Sequence, residues 1–160
     1  LKKAACLFPN ADPILVHNVD ILSNADLLSL YNTATATTLL VSDRKTQRYL
    51  LFDTDECLIG WVNMATGQVK SPHPELLEHD GDSTYFQQHS ALKKHAFAGI
   101  QVFFPSLLPF MNTWHGKFSI IDFYLSICDK VPIHCHFDPQ LQLLDVGKLD
   151  TIAKAEEWFQ

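Results

Sequence analysis

Short apolar runs alternate with amphipathic helical stretches along almost the whole of this chain, and that alternation constrains the fold more than any other feature. Ile14-Leu15-Val16-His17-Asn18 reads as a strand buried on both faces, with Asp20 just past its end. Ser23 or Asn24 can cap a helix whose Ala25, Leu27, Leu28, Leu30 and Tyr31 form one buried stripe. Residues 37–41 are β-branched and apolar and predict a second central strand. Residues 48–52 and 57–62 bracket the polar Asp53-Thr54-Asp55-Glu56, the pattern of a β-hairpin. From Asn63 to about His95 the periodicity is lost, which predicts a long loop with one helical turn at 75–79. A strand over 95–104 with Gly99 at its centre follows, then a short helix opened by Pro105. A helix over 119–130, strands over 133–137 and 141–144 and a terminal helix over 149–159 complete the series, and residues 2–8 read as the end of a helix. The order predicts one α/β layered domain over residues 1–160, built on a mixed, mostly parallel sheet with an inserted hairpin.

Composition narrows the function. A hydrophobic share of 47% against 19% charged residues excludes a disordered tail or a coiled coil. The net charge of -6, with Arg44 and Arg48 the only arginines, argues against nucleic acid as a partner. The longest uncharged run, 96–116, is broken by glycine, prolines and histidine, so no membrane span is expected. Four scattered cysteines with no CxxC pair point to a reducing, cytoplasmic setting.

Two carboxylates carry the candidate chemistry. Asp20 and Asp145 each follow an apolar strand, the end at which open α/β sheets bind ligands. Either alone is equally a turn or capping residue. Together they could converge on one Mg²⁺, which takes one or two carboxylates and completes its shell with phosphate oxygens and water. Asp53-Thr54-Asp55 imitates the two-aspartate signature of haloacid-dehalogenase phosphatases, but Cys57 and a strand-like run follow, so a hairpin turn is preferred. His134-Cys135-His136 would place both histidines on one strand face without further ligands at metal-binding spacing, which favours a structural role.

The segment 14–22, with Asn18-Val19-Asp20, resembles the strand of sugar-1-phosphate nucleotidyltransferases (NDP-sugar pyrophosphorylases) that ends in Asn-Gly-Asp. Leu144-Asp145-Val146-Gly147-Lys148 is similar to that family's closing Asp-Val/Ile-Gly-Thr motif, and Phe97-Ala98-Gly99-Ile100 to the strand that lies along the sugar. The resemblance extends to mannose-1-phosphate guanylyltransferase-like and N-acetylmuramate-1-phosphate uridylyltransferase-like members. It implies a Rossmann-like nucleotide-diphospho-sugar transferase fold, an α/β/α sandwich. The reaction it implies is NTP plus sugar 1-phosphate giving NDP-sugar and pyrophosphate, for cell-wall or surface polysaccharide precursors in bacteria. Asp20 and Asp145 would then be the catalytic metal ligands for Mg²⁺, and Asn18, Gly99, Asn63 and Lys148 would bind substrate.

Three departures qualify that transfer. Val19 replaces the usual glycine, Lys148 stands where Thr is commoner, and Asn63 occupies the region of a Glu-Lys-Pro motif, whose lysine it replaces only as a hydrogen-bonding partner. Leu1-Lys2-Lys3-Ala4-Ala5 resembles the helix that follows the family's nucleotide-gripping Gly-rich loop, so the chain reads as the C-terminal two-thirds of the catalytic domain. On that reading the isolated chain is expected to be inactive and to expose a surface that favours low stability or homo-oligomers. The alternative is a non-catalytic regulatory or sugar-phosphate-binding module that keeps the fold without the nucleotide loop.

Overall fold

The computed structural model describes residues 1–8, 12–89 and 91–147. A seven-stranded sheet organises them around β7 (Lys93–Phe103), the longest strand at 11 residues. Val102 of β7 lies opposite Leu15 of β1 (Ile14–His17) and also opposite Thr38 of β3 (Thr38–Ser42), so β1 and β3 flank β7 and both run against it. β8 (His134–Phe137) pairs parallel to β3 on its outer side. The N-terminal end of β7 pairs with β4 (Arg48–Phe52), which forms the expected hairpin with β5 (Leu58–Asn63), and β6 (Val69–Lys70) adds one more strand.

The α/β reading with an inserted hairpin is what the chain adopts. The sheet is mixed, but among the described strands only β3–β8 is a parallel ladder, which corrects the expected parallel majority. β1, β3 and β8 do point the same way. The strand that returns from the hairpin enters between β1 and β3 in the opposite sense, and this reversal makes both of its ladders antiparallel.

Period-two burial explains why both faces of the sheet are covered. Leu39 and Val41 of β3 pack with Phe103, Met111, Phe123, Tyr124 and Ile133 on one face, against α4 (Ile120–Leu125) and a 3-10 helix (Pro105–Thr113). Leu40 points the other way and joins Leu30 of α1 (Leu27–Thr33) with Ala98, Ile100 and Val102 of β7. Helical segments thus lie on both faces, as in a layered sandwich. Ser119 caps α4, its Oγ accepting from the Asp122 amide at 3.4 Å. α4 itself is shorter than the predicted 119–130 helix.

Several expectations are corrected. Residues 63–92 are not a plain loop: β6, α2 (Pro74–Leu77) and α3 (Ser83–Gln88) bury Val69, Leu76 and Phe86 against Leu51 and Val62 in a cluster of their own. β1 is half-buried throughout rather than covered on both faces, and among the described strands it pairs along one edge only. The cap of α1 is Asp26, whose Oδ1 accepts from the Ser29 amide at 2.9 Å. Ser23 instead belongs to β2 (Ile21–Ser23), which pairs with β9 (Leu143–Asp145). Asn24 bridges to residues 140–142, accepting from the Gln142 amide at 2.7 Å and donating to the Gln140 carbonyl at 3.1 Å. Leu28 is 70% exposed and falls outside the buried stripe. The 3-10 helix Lys2–Leu7 occupies the predicted N-terminal helical segment, while the predicted helix over 149–159 lies outside the described residues.

Candidate active site

The turn between β1 and β2 presents Asn18, Val19 and Asp20. The Asn18 amide donates to the Gly99 carbonyl at 3.0 Å and the Ile21 amide donates back to the Asn18 carbonyl at 3.3 Å, which ties the turn to β7. Asp20 then enters the small β2–β9 sheet, where Ile21 lies opposite Asp145 and the Val146 amide donates to the Asp20 carbonyl at 2.8 Å. This pairing brings together two acidic residues from opposite ends of the chain.

Their carboxylates converge beside Gly147. A Cβ at Gly147 would lie 3.1 Å from Asp145 Oδ1 and 3.2 Å from Asp20 Oδ2. The same Asp145 oxygen accepts from the Gly147 amide at 3.0 Å, which fixes its orientation. Both residues are exposed, and among the described residues no lysine or arginine forms an ion pair with either. Two hard oxygen donors on exposed residues flanking one glycine suit a divalent cation such as Mg²⁺. Among the described residues no cluster of three or more His, Cys, Asp or Glu could hold a metal, so a cation here would draw its other ligands from water and substrate.

A cavity of about 180 Å³ adjoins the pair, lined by Asn18, Arg44, Phe97, Gly99 and Asp145 among others. Gly99 has φ +77°, and a Cβ there would lie 2.9 Å from Asn18 Nδ2. The open side of this glycine therefore receives Asn18, and the two residues form one unit at the floor of the cleft. Arg44 lines the same cavity and escaped the sequence reading; its only signal is that it is one of two arginines. Gly147, already part of the Asp145-Val146-Gly147 segment, has both carboxylates as its neighbours.

Asn63 stands apart from this cleft. It ends β5, where its Oδ1 accepts from the Ala65 amide at 3.0 Å and shapes the turn into β6, so its side chain is engaged locally. Lys148 lies outside the described residues. Asp53 shapes the β4–β5 turn, its Oδ1 accepting from the amides of Asp55 and Cys57, both at 2.9 Å. That is the hairpin reading rather than a phosphatase loop.

His134 and His136 share a strand face, with Cys135 buried on the other. The structure adds a contact no local pattern suggests: Cys57 Sγ lies 3.6 Å from His134 Nδ1. Burial, and then the carboxylates of Asp53 and Asp55, push the Cys57 thiol up, so the pair does not supply an activated thiolate.

Comparison with known proteins identifies the fold. The chain is similar to a UTP-bound UGPase from Acinetobacter baumannii, at 15% identity and a TM-score of 0.66 over 99% of this chain and 54% of that one. It is also similar to a UDP-glucose pyrophosphorylase from the same organism, at 14% identity and TM-score 0.63, covering 96% of this chain and 52% of that one. A protein assigned as a glucose-1-phosphate thymidylyltransferase from Bacillus anthracis, in complex with sucrose, matches at 11% identity and TM-score 0.61 over 98% and 58% of the two chains. The chain thus has the fold of these sugar-nucleotide enzymes and spans about half their length. No protein-family model and no curated protein matches the sequence. Among the described residues no helix is long and apolar enough to cross a membrane.

Proposed function

We propose that this chain is part of a Mg²⁺-dependent sugar-1-phosphate nucleotidyltransferase, which joins a nucleotide to a sugar 1-phosphate and releases pyrophosphate. The observation that carries the reading is the convergence of Asp20 and Asp145 beside Gly147, next to the Asn18–Gly99 cleft, on a fold shared with enzymes of that class. In this reading Asp20 and Asp145 hold the cation. When bound, the ion would offset phosphate charge, which favours displacement of pyrophosphate from the α-phosphorus by the sugar-phosphate oxygen. The β2–β9 sheet holds the two carboxylates in register, and the tethered Asn18–Gly99 pair keeps the cleft floor rigid. Arg44 provides a cationic group on the cavity wall.

Pyrophosphate release by the complete enzyme, assayed with a panel of NTPs and sugar 1-phosphates, tests the assignment. Asp20→Asn and Asp145→Asn should each lower turnover by about a hundredfold or more, with the melting temperature unchanged. Full activity in both variants would overturn the metal assignment. A nucleotide-independent module would instead bind a sugar phosphate in calorimetry and turn over no NTP. The half-length match to the neighbours keeps that second reading in the test.

A further inference from the structure

Cys57 and His134 lie far apart in the chain and meet where the β4–β5 turn rests against the start of β8. An antiparallel bridge pairs the two residues, and beside it the Cys135 amide donates to the Glu56 carbonyl at 3.0 Å. Residues directly opposite in such a pair project to the same face, and here Sγ and Nδ1 lie 3.6 Å apart. That separation fits a hydrogen bond, and it is also the one a shared metal requires. Tetrahedral Zn²⁺, with Zn–S of about 2.3 Å and Zn–N of about 2.0–2.1 Å, sets its sulfur and nitrogen ligands about 3.5–3.6 Å apart.

The surroundings favour a cation. Besides burial, the carboxylates of Asp53 and Asp55 make the Cys57 thiol hold its proton more tightly, and the same negative charge attracts a metal ion. A cavity of about 270 Å³ adjoins His134 and is lined by Asp55, Glu56 and His136 among others. Glu56 is already engaged, its Oε1 lying 3.2 Å from Lys93 Nζ. His136 shares a strand face with His134, and Asp55 is exposed. Two side chains fill half of a tetrahedral shell. No third donor stands in place among the described residues, so water, or Asp55 or His136 moving into the cavity, completes it. A thiolate with an imidazole suits Zn²⁺ and is foreign to Mg²⁺.

We infer that Cys57 Sγ and His134 Nδ1 form a binding site for a thiophilic divalent cation, Zn²⁺, which clips the β4–β5 turn to β8. The site shares no ligand with the Asp20–Asp145 pair, whose oxygen donors suit Mg²⁺. On binding, the S–H bond breaks and a sulfur–metal bond forms, so Cys57 enters as thiolate and one proton passes to solvent. The metal thereby joins two segments that the bare protein links only by the bridge and this side-chain contact.

Co²⁺ reports such a site, because a thiolate ligand gives it a charge-transfer band in the near ultraviolet that oxygen ligands do not. The full chain, kept reduced with a phosphine, is titrated with Co²⁺ and then with Zn²⁺, and its melting temperature is measured with each metal and with Mg²⁺. The band should appear with one equivalent of Co²⁺, vanish as Zn²⁺ displaces it, and be absent from Cys57→Ser. His134→Gln should weaken Co²⁺ binding by more than the roughly 10–100-fold that loss of a mere supporting group costs. Cys6→Ser, which removes the exposed cysteine, and Asp20→Asn should both leave the band unchanged. Zn²⁺ should raise the melting temperature of the unaltered chain more than that of Cys57→Ser. Where Cys57→Ser lowers the metal-free melting temperature, the His134→Gln titration decides. No band in the unaltered chain, a band retained in Cys57→Ser or lost in Cys6→Ser, or unchanged Co²⁺ affinity in His134→Gln would each overturn the site and leave a plain thiol–imidazole hydrogen bond.

Discussion

A methyl group added at Gly147 would meet Asp145 Oδ1 at 3.1 Å and Asp20 Oδ2 at 3.2 Å, so it would push the two carboxylates away from their common point. Gly147→Ala should therefore weaken Mg²⁺ binding by about tenfold or more in a calorimetric titration, on the scale of lost ligand support, while the melting temperature changes little. Gly99 is different because its constraint is in the backbone. Its φ is +77°, and an added methyl would lie 2.9 Å from Asn18 Nδ2. Gly99→Ala should cost about 1–2 kcal/mol in denaturant unfolding, the scale of a left-handed residue bearing a side chain. The sequence singles out Asp20 and Asp145 because each is an acid at the end of an apolar run, and the structure places both beside Gly147. Asn63 is not brought to the Asn18–Gly99 cleft; its oxygen accepts from the Ala65 amide at 3.0 Å in the turn after β5.

At the scale of elements, caps and packed faces decide stability. Asp26 holds the first turn of α1, so Asp26→Ala should cost about 1 kcal/mol, measured by chemical denaturation. His95 near the start of β7 packs 4.6 Å from Phe137 and 6.1 Å from Phe52, centroid to centroid. Burial pulls its pKa down, against the opposing pull of Asp43, whose Oδ1 lies 3.4 Å from Nδ1 at ion-pair distance. A histidine held neutral in the folded state contributes stability above its unfolded pKa of about 6.5. That contribution is lost as pH falls below this value. The melting temperature should be flat above about pH 7 and decline toward pH 5, with a shallower decline in His95→Gln. The sequence showed where α1 and β7 lie but not Asp26 as the cap, because Ser23 and Asn24 are equally good capping types and only the β2–β9 pairing removes them from contention.

For the whole molecule, β7 is the element on which the others depend. It bonds to β1, β3 and β4, and both helical layers pack across the sheet it centres. Hydrogen exchange should accordingly be slowest for amides of β3 and β7, whose opening requires global unfolding, and faster across 69–89, where a small separate cluster holds β6, α2 and α3. Equal protection in both regions would show a single cooperative unit instead. The alternation of apolar runs revealed the α/β class, and the helices on both faces of β3 follow from its unbroken apolar run. The 63–92 region stayed illegible because two-residue strands and one-turn helices are too short to display a period.

Local patterning was enough to place most of the longer strands and helices outside 63–92 and to show that acids stand at strand ends, because burial period and strand termination are properties of a few consecutive residues. Only the tertiary structure decided that β7 runs backwards between β1 and β3, that β2 finds β9, and that Asp20 and Asp145 share a point beside Gly147. The physical reason is that pairing and direction are chosen by competition among all strands for partners and for coverage of the core. That competition joins residues far apart along the chain and leaves no mark in any one segment.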